Sequence, residues 1–238
     1  MLVCFAVVSI PRFILAVALL GAAFAQQQTP AQARLGERPP APQAPLFFRE
    51  QWNTPPGAGE HAVNQESIWN PRLELKLYGE SGKEIQELGK LGDPNNPPHV
   101  WTGLCTSPCA VALREKNSYV DLTGLAKIRW QTKVSGFHQV HPIVKLANGT
   151  WLVGDHADGS PLDWHENEFS LAEVRWLKLD IDKVVTKGNW VEHPDLSKVD
   201  EIGFTDLLPG SGHGPGGWSD VAAFEVYGKT VKREAGTN

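Results

Sequence analysis

The stretch "AKIRWQTKV", residues 126–134, alternates apolar and polar side chains without a break. A period of two is the repeat of an extended strand with one face in a core and the other in water. Ala126, Ile128, Trp130, Thr132 and Val134 share the buried face, and Lys127, Arg129, Gln131 and Lys133 the wet one. The period recurs along the chain. "VRWLKLDID" (174–182) predicts Leu177, Leu179 and Ile181 inward, with Trp176, Lys178, Asp180 and Asp182 outward. "VDEIGFTDL" (199–207) puts Ile202 and Phe204 on one face, and "AAFEVYG" (222–228) buries Phe224 and Val226. Further strands are expected at 73–78, at 110–115 and near 119–121. Helical spacing is confined to "SGKEIQELGKLG" (81–92), where Ile85, Leu88 and Leu91 predict one short helix. No repeat and no βαβ rhythm appears. Many short strands joined by Gly, Pro and Asn turns predict an all-β fold: an antiparallel β-sandwich or jelly roll with few short helices.

"IVKLANGTWLVG" (143–154) predicts a hairpin closed by Asn148-Gly149, the preferred pair for a two-residue type I′ turn. That turn sets Leu146 opposite Trp151 and Val144 opposite Val153 as the apolar side. Extending the pairing brings His141 opposite His156 on the other face.

The chain of 238 residues begins with "MLVCFAVVSIPRFILAVALLGAAFA", one charge followed by an apolar run that ends in Ala23-Phe24-Ala25. This is the pattern of a signal peptide, 1–25, cleaved after a small residue. The run from Phe13 is shorter than the ~20 residues of a membrane span, so no stable span is expected after cleavage. The rival reading is an uncleaved anchor. Residues 26–46, rich in Gln, Pro and Ala, are expected to be a disordered linker. A single sandwich domain is expected over 47–233 and a flexible tail over 234–238. Of 22 basic side chains only Arg12 lies in the leader, and none of the 27 acidic ones does. The mature chain is therefore acidic and lacks a Lys/Arg cluster, which argues against nucleic acid as a partner. Secretion, or export to the periplasm, makes a disulfide the default for Cys105 and Cys109 in "CTSPC". Their C-x-x-x-C spacing, with no second pair, argues against a zinc site.

Near the end of the chain lies "LLPGSGHGPGGWSD" (207–220), in which Gly212, Gly214 and Gly217 fit G-x-G-x-x-G. A dinucleotide site needs a helix after that motif and a further parallel strand. Here Pro215 interrupts it and a strand follows. The segment instead predicts a long crossover between the last two strands, offering Asp206, His213 and Trp218 to a ligand at the sandwich rim.

The segments "VDLTGLAKIRWQTKV", "EFSLAEVRWLKLDID", "VDEIGFTDLLPG" and "WSDVAAFEVYG" occur in an order that resembles the galactose-binding-like jelly roll. Carbohydrate-binding modules and the complex I intermediate-associated protein family share that fold. The resemblance covers roughly residues 117–231. It is one of pattern, and it also extends to secreted bacterial proteins that accompany sugar-degrading enzymes. It implies the fold and no catalytic motif. The E-x-D-x-E strand of family 16 glycoside hydrolases is absent, and the nearest strand, "VDEIGFTD", lacks the second glutamate.

Two groups of residues carry candidate chemistry. The hairpin run-out gathers His138, His141, Asp155, His156, Asp158, Asp163 and His165. His141, His156 and Asp158 are the catalytic candidates, since paired imidazoles and a carboxylate supply a general base. His141, His156, Asp155, Asp158 and Asp163 are the metal candidates, for structural calcium or a divalent transition ion. The rival reading is a polar sheet face whose histidines only make hydrogen bonds. The second group is aromatic. Nine tryptophans serve one domain, and a flat indole outside the core stacks on the C–H face of a sugar. Trp130 and Trp151 are expected in the core; Trp164, Trp176, Trp190 and Trp218 fall in loops or on outward faces. The expected ligand contacts are Trp164, Trp218, His213, Asp206, His138 and Trp176, on a carbohydrate or other small polar ligand. In the N-terminal part, "GDPNNPPHVWTG" (92–103) is a rigid loop that can wall a site, with Glu66, Asn70 and His99 as contributors. Three functions remain in view: a secreted carbohydrate-binding protein, a sugar-active enzyme using the His/Asp group, and an envelope interaction domain without a small ligand.

Overall fold

A computed structural model describes residues 42–57, 59–159, 162–214 and 216–233. The expected signal peptide, all but the end of the expected linker, and the tail from 234 lie outside the described residues. Sixteen strands succeed one another: β1 Leu46–Glu50, β2 His61–Ala62, β3 Leu73–Tyr78, β4 Gln86–Leu88, β5 His99–Trp101, β6 Cys109–Glu115, β7 Ser118–Asp121, β8 Lys127–Ser135, β9 His141–Leu146, β10 Trp151–Gly154, β11 His165–Ser170, β12 Trp176–Asp180, β13 Val185–Val191, β14 Val199–Asp206, β15 Trp218–Tyr227 and β16 Lys229–Lys232. Three single 3-10 turns are the only helical elements among the described residues.

All strand pairings are antiparallel. The first sheet runs β11-β8-β15-β5-β4-β2, with β1 beside the far half of β15; the second runs β13-β12-β10-β9-β14-β6-β3, with β7 and β16 appended. The chain crosses between the sheets repeatedly, and the result is the all-β sandwich that the period of two predicts. In β8 the alternation holds over the whole strand: Ile128, Trp130, Thr132 and Val134 are buried, and Lys127, Arg129, Gln131 and Lys133 are half-exposed. Ile128, Trp130, Val221 and Phe224 from the first sheet meet Val111, Leu113, Val144, Leu152, Ile202 and Phe204 from the second in one core. Each fully buried Val, Leu, Ile or Phe contributes about 1.5–3 kcal/mol. One carboxylate enters this interior with full compensation. Glu50, 0% exposed, accepts from the backbone N–H groups of Gln51, Trp52, Trp69 and Asn70.

Three local expectations are corrected. The helix over 81–92 is a 3-10 turn, Gly82–Glu84, followed by β4. Its apolar residues do not share a face: Ile85 is 0% exposed and Leu91 is 74% exposed. Gly89 (φ 90°) turns the chain there, so close to the next segment that a Cβ would stand 2.0 Å from the Pro97 carbonyl oxygen. So short a segment with three glycines cannot nucleate a helix against that pairing.

The hairpin register differs by one residue. In the turn only Gly149 has positive φ, whereas a type I′ turn needs two such residues. The loop is therefore longer, and Trp151 faces Lys145, Leu152 faces Val144 and Val153 faces Ile143. A slip of one residue inverts the faces. Leu152 joins the main core, while Trp151 and Val153 join Ile143, Ala110 and Ala112 in a second apolar cluster on the other side of the sheet. Trp151 is buried there, its ring centroid 4.9 Å from that of Tyr78.

The third correction concerns β12. Leu177 and Leu179 share a face as expected, but that face carries the second apolar cluster, so the opposite face, with Trp176, covers the main core. Trp176, expected outward, is 2% exposed in the main core.

Candidate functional site

The outer face of the first sheet holds a cleft of about 640 Å³. Strand register builds its floor. Asp220 of β15 lies between Trp101 of β5 and Lys133 of β8. Alternation puts Trp218 and His99 on the same face. Across the rim, His213 Nε2 is 2.6 Å from Glu60 Oε1. The Trp101 and His213 rings stand 5.3 Å apart.

Aromatic rings surround one cation. Trp164 donates its indole N–H to the Asn95 carbonyl at 3.1 Å, which fixes the ring against His99 at 5.1 Å, edge-on. Lys133 Nζ stands 5.8 Å from the centre of the Trp164 ring and 5.3 Å from that of Trp218. Such cation–π contacts stabilise by roughly 0.5–1 kcal/mol at exposed sites and more when desolvated.

Beneath the rings lie two buried titratable groups. His99 is 4% exposed and Asp220 is 5% exposed, with Nε2 and Oδ1 3.7 Å apart. His99 Nδ1 is 2.7 Å from the Pro97 carbonyl oxygen. A carbonyl only accepts, so Nδ1 carries the proton and the neutral ring presents a bare Nε2 to Asp220. Burial pushes His99 down to about 4, although the hydrogen bond to Pro97 opposes this. Burial pushes Asp220 up to about 8, with Lys133 acting against the shift. Near neutral pH the couple is therefore a neutral imidazole beside a protonated carboxyl, and not an ion pair. Asp220 Oδ1 has no hydrogen-bond partner among the described residues.

The glycine-rich crossover forms one wall. Ser211 closes its neck: its hydroxyl donates to the Gly217 carbonyl at 3.0 Å and accepts from the Gly217 N–H at 2.6 Å. The loop lies against residues 103–105, with Gly210 N–H donating to the Cys105 carbonyl at 2.7 Å and Gly212 N–H to that of Gly103 at 2.8 Å. A Cβ on Gly217 would stand 2.1 Å from His138 Cδ2, so only glycine fits. The Cys105–Cys109 disulfide expected from the sequence is present, at the foot of this wall. Asp206 and His138, expected at the rim, lie under the loop instead. Asp206 is 2% exposed and engages both His138 Nδ1 and the Ser219 hydroxyl. It joins β14 to β15.

The hairpin group is close enough for His141, His156, Asp155 and Asp158 to act on one another, but most of its members are engaged separately. With the shifted register, His141 Nδ1 lies 3.1 Å from the Gly154 carbonyl. The His156 ring stacks on Phe169 at 3.7 Å. Burial lowers both imidazoles below their ordinary range. Asp155 pairs with Arg175 at 2.8 Å. Asp158, 6% exposed, accepts from Trp130 Nε1 at 3.1 Å, from the Thr132 hydroxyl, and from His165 Nε2 at 2.8 Å. Asp163 is exposed beside Trp164. Among the described residues no group of three or more His, Cys, Asp or Glu side chains is arranged to hold a metal ion. Trp176 lines a second, smaller hollow of about 370 Å³, with the Arg175 guanidinium 4.4 Å above the Trp190 ring. Glu66 and Asn70 serve the N-terminal turns: Glu66 donates its N–H to the Asn64 side chain that caps the 3-10 turn, and Asn70 binds Glu50 and Arg49.

Of the expected ligand contacts, Trp218 and His213 line the cleft, together with His99, and Trp164 lines an adjoining hollow that shares Lys133 with it. Sequence reasoning missed Asp220, Lys133, Trp101 and Glu60. Lys133 was legible as an outward residue of β8. Asp220 was not, because β15 starts at Trp218, four residues before the recognised apolar pattern.

No protein-family model matches the chain, and no curated protein matches it in sequence. Among solved structures it is similar to a family 61 carbohydrate-binding module in complex with β-1,4-galactotriose (12% identity, 65% of this chain and 88% of that one, TM-score 0.37). It is also similar to the family 11 carbohydrate-binding module of a cellulosomal cellulase of Clostridium thermocellum (14%, 77% and 100%, TM-score 0.38). A third similar structure is arcelin-5, a lectin-like defense protein from Phaseolus vulgaris (10%, 77% and 97%, TM-score 0.30). At these scores the likenesses assign neither a family nor a ligand to this chain.

Proposed function

We propose that this chain is a secreted protein that binds carbohydrate in the cleft over β5, β8 and β15. The observation that carries the reading is the combination of indole rings at the cleft with a buried Asp220 Oδ1 that has no hydrogen-bond partner among the described residues. Sugars have apolar C–H faces and hydroxyl edges. Trp218, with Trp164 beside it in the adjoining hollow, supplies a flat surface for the first, and Asp220, His99, Lys133 and the Glu60–His213 pair supply polar partners for the second. The volume falls within the range of about 300–1,000 Å³ for small-ligand sites. Secretion is supported by the N-terminal leader pattern and by the disulfide, which suits an oxidising compartment. Glycan-array screening of the mature protein tests the binding reading. Trp218→Ala is expected to lose the signal; a variant that binds as well as the parent contradicts it.

A second reading rests on Asp220 itself. A carboxyl held protonated near neutral pH inside a cleft is competent as a general acid. Sugar-degrading activity that is present in the parent and absent in Asp220→Asn supports this reading. Binding without turnover leaves the first.

A further inference from the structure

We infer that the cleft selects a saccharide carrying an anionic group, a carboxylate or a sulfate, with Lys133 as its counter-ion. The inference rests on the carbohydrate-binding reading and narrows it. It follows from taking each charged group in the cleft in turn.

Six titratable side chains line the cleft: Glu60, Lys90, His99, Lys133, His213 and Asp220. Glu60 and His213 engage one another at 2.6 Å. His99 is a neutral ring committed to Pro97. Asp220 is cross-strand neighbour to Lys133 but forms no ion pair with it, and burial keeps its carboxyl protonated. Asp163 lines the adjoining hollow with Lys133, again without an ion pair. Among the described residues neither Lys133 nor Lys90 has a carboxylate within ion-pair distance. The two lysines are thus the uncompensated charges of a cleft in an otherwise acidic protein.

Lys90 is exposed in a loop, where a free ammonium is ordinary. Lys133 is not ordinary. It is half-buried on the floor, and its ammonium lies over two indole rings where most lysines extend into water. An anion above the floor draws the ammonium toward itself and uncovers both indole faces for the sugar ring. Binding of the charge and stacking of the ring are then one event. Asp220 completes the match, since its O–H donates to an anionic oxygen where an ionised carboxylate repels it. Binding is thus expected to weaken as the medium turns alkaline. The charged groups facing Asp220 are His99 from β5, Lys133 from β8, and Lys90, Glu60 and His213 from the rim.

Calorimetric titration of the mature chain tests this with four probes. These are a tetragalacturonate, a sulfated galacto-oligosaccharide, a neutral galactotetraose, and inorganic sulfate. A charge-assisted contact predicts that at least one of the acidic oligosaccharides binds about tenfold or more tighter than the neutral one. Lys133→Met is expected to remove that advantage and Lys133→Arg to keep it, with both variants melting like the parent. Preference for the carboxylate or for the sulfate identifies which anion is read. Equal or tighter binding of galactotetraose, unchanged in Lys133→Met, overturns the inference and leaves carbohydrate binding standing. Inorganic sulfate binding as tightly as the sulfated sugar also overturns it, because the site is then an ion site. If no saccharide, acidic or neutral, binds here or on an array, the inference and the reading beneath it fall together.

Discussion

Asp220→Asn isolates the central physical feature of the cleft. The amide keeps the size of the side chain and cannot ionise. In the parent, the Asp220 carboxyl has a folded pKa of about 8 against an ordinary 3.8. A raised pKa means that the folded state holds the proton more tightly than the unfolded one. The associated stability is complete below about pH 3.8 and is lost as pH rises toward 8. His99 has the opposite sign. Its folded pKa of about 4 lies below the ordinary 6.5, so its contribution is complete above 6.5 and is lost as pH falls to 4. Each slope is about 1.4 kcal/mol per pH unit. Between about pH 4 and 6.5 the two cancel in the parent; from there to about 8, Asp220 alone acts and stability falls by about 2 kcal/mol. In Asp220→Asn only His99 remains, so stability rises from pH 4 to 6.5 and then stays level. All other groups titrate alike in both proteins. The difference between them, followed by urea unfolding with tryptophan fluorescence, is expected to grow in favour of the variant by about 4 kcal/mol from pH 5 to pH 8. Parallel curves across that range refute the reasoning, because Asp220 is then as ionised in the folded protein as in the unfolded chain.

Other expectations follow from the wall and the hairpin. Replacing both Cys105 and Cys109 by Ala opens a five-residue loop; chain entropy predicts a loss of about 2 kcal/mol in denaturant unfolding, and an unchanged midpoint contradicts this. Gly217→Ala drives a Cβ into His138 and is expected to destabilise by about 1–3 kcal/mol, whereas Gly212→Ala, with open space around it, is expected to be milder. Asp158→Ala leaves the Trp130 indole N–H and the Thr132 hydroxyl without their acceptor and is expected to lower stability by about 2–4 kcal/mol; a shift below 0.5 kcal/mol would contradict the role given to that network. Because Asp155 and Asp158 are engaged within the protein, chelator is expected to leave the melting temperature unchanged, and a clear drop would show a bound ion.

The fold was legible where one physical rule acts alone. In β8 burial of one face dictates the alternation, and the sequence displays it residue by residue. Legibility failed where two rules compete. Asn148-Gly149 satisfies two turn types, and the backbone uses positive φ at Gly149 only. That choice moved His141 out of register with His156, and each ring is engaged by other groups. Trp176 keeps the period of two, on the face opposite Leu177 and Leu179, and only the pairing of β12 with β10 shows that its face is the one covering the main core. Asp206 and His138 are polar residues beside a glycine-rich loop, a pattern that a rim site and a buried clasp share. At the cleft and the hollow beside it, Trp218 and Trp164 stood out because the sequence pattern assigned neither to a strand face, although Trp218 opens β15. Asp220 did not, because one aspartate in "WSDVAAF" gives no sign of burial before β5, β8 and β15 are paired.

The most direct test of carbohydrate binding at this cleft is a titration of glycans, chosen by array, against the parent, Trp218→Ala and Trp190→Ala. Trp190 lies at the other hollow and is exposed, so it controls for tryptophan loss in general. Base-to-ring stacking at other sites is worth about 1–3 kcal/mol, and a sugar stacked on Trp218 predicts a loss of about tenfold or more in Trp218→Ala with none in Trp190→Ala. Equal affinity of the parent and Trp218→Ala, with both folded, would contradict the placement of the ligand in the cleft.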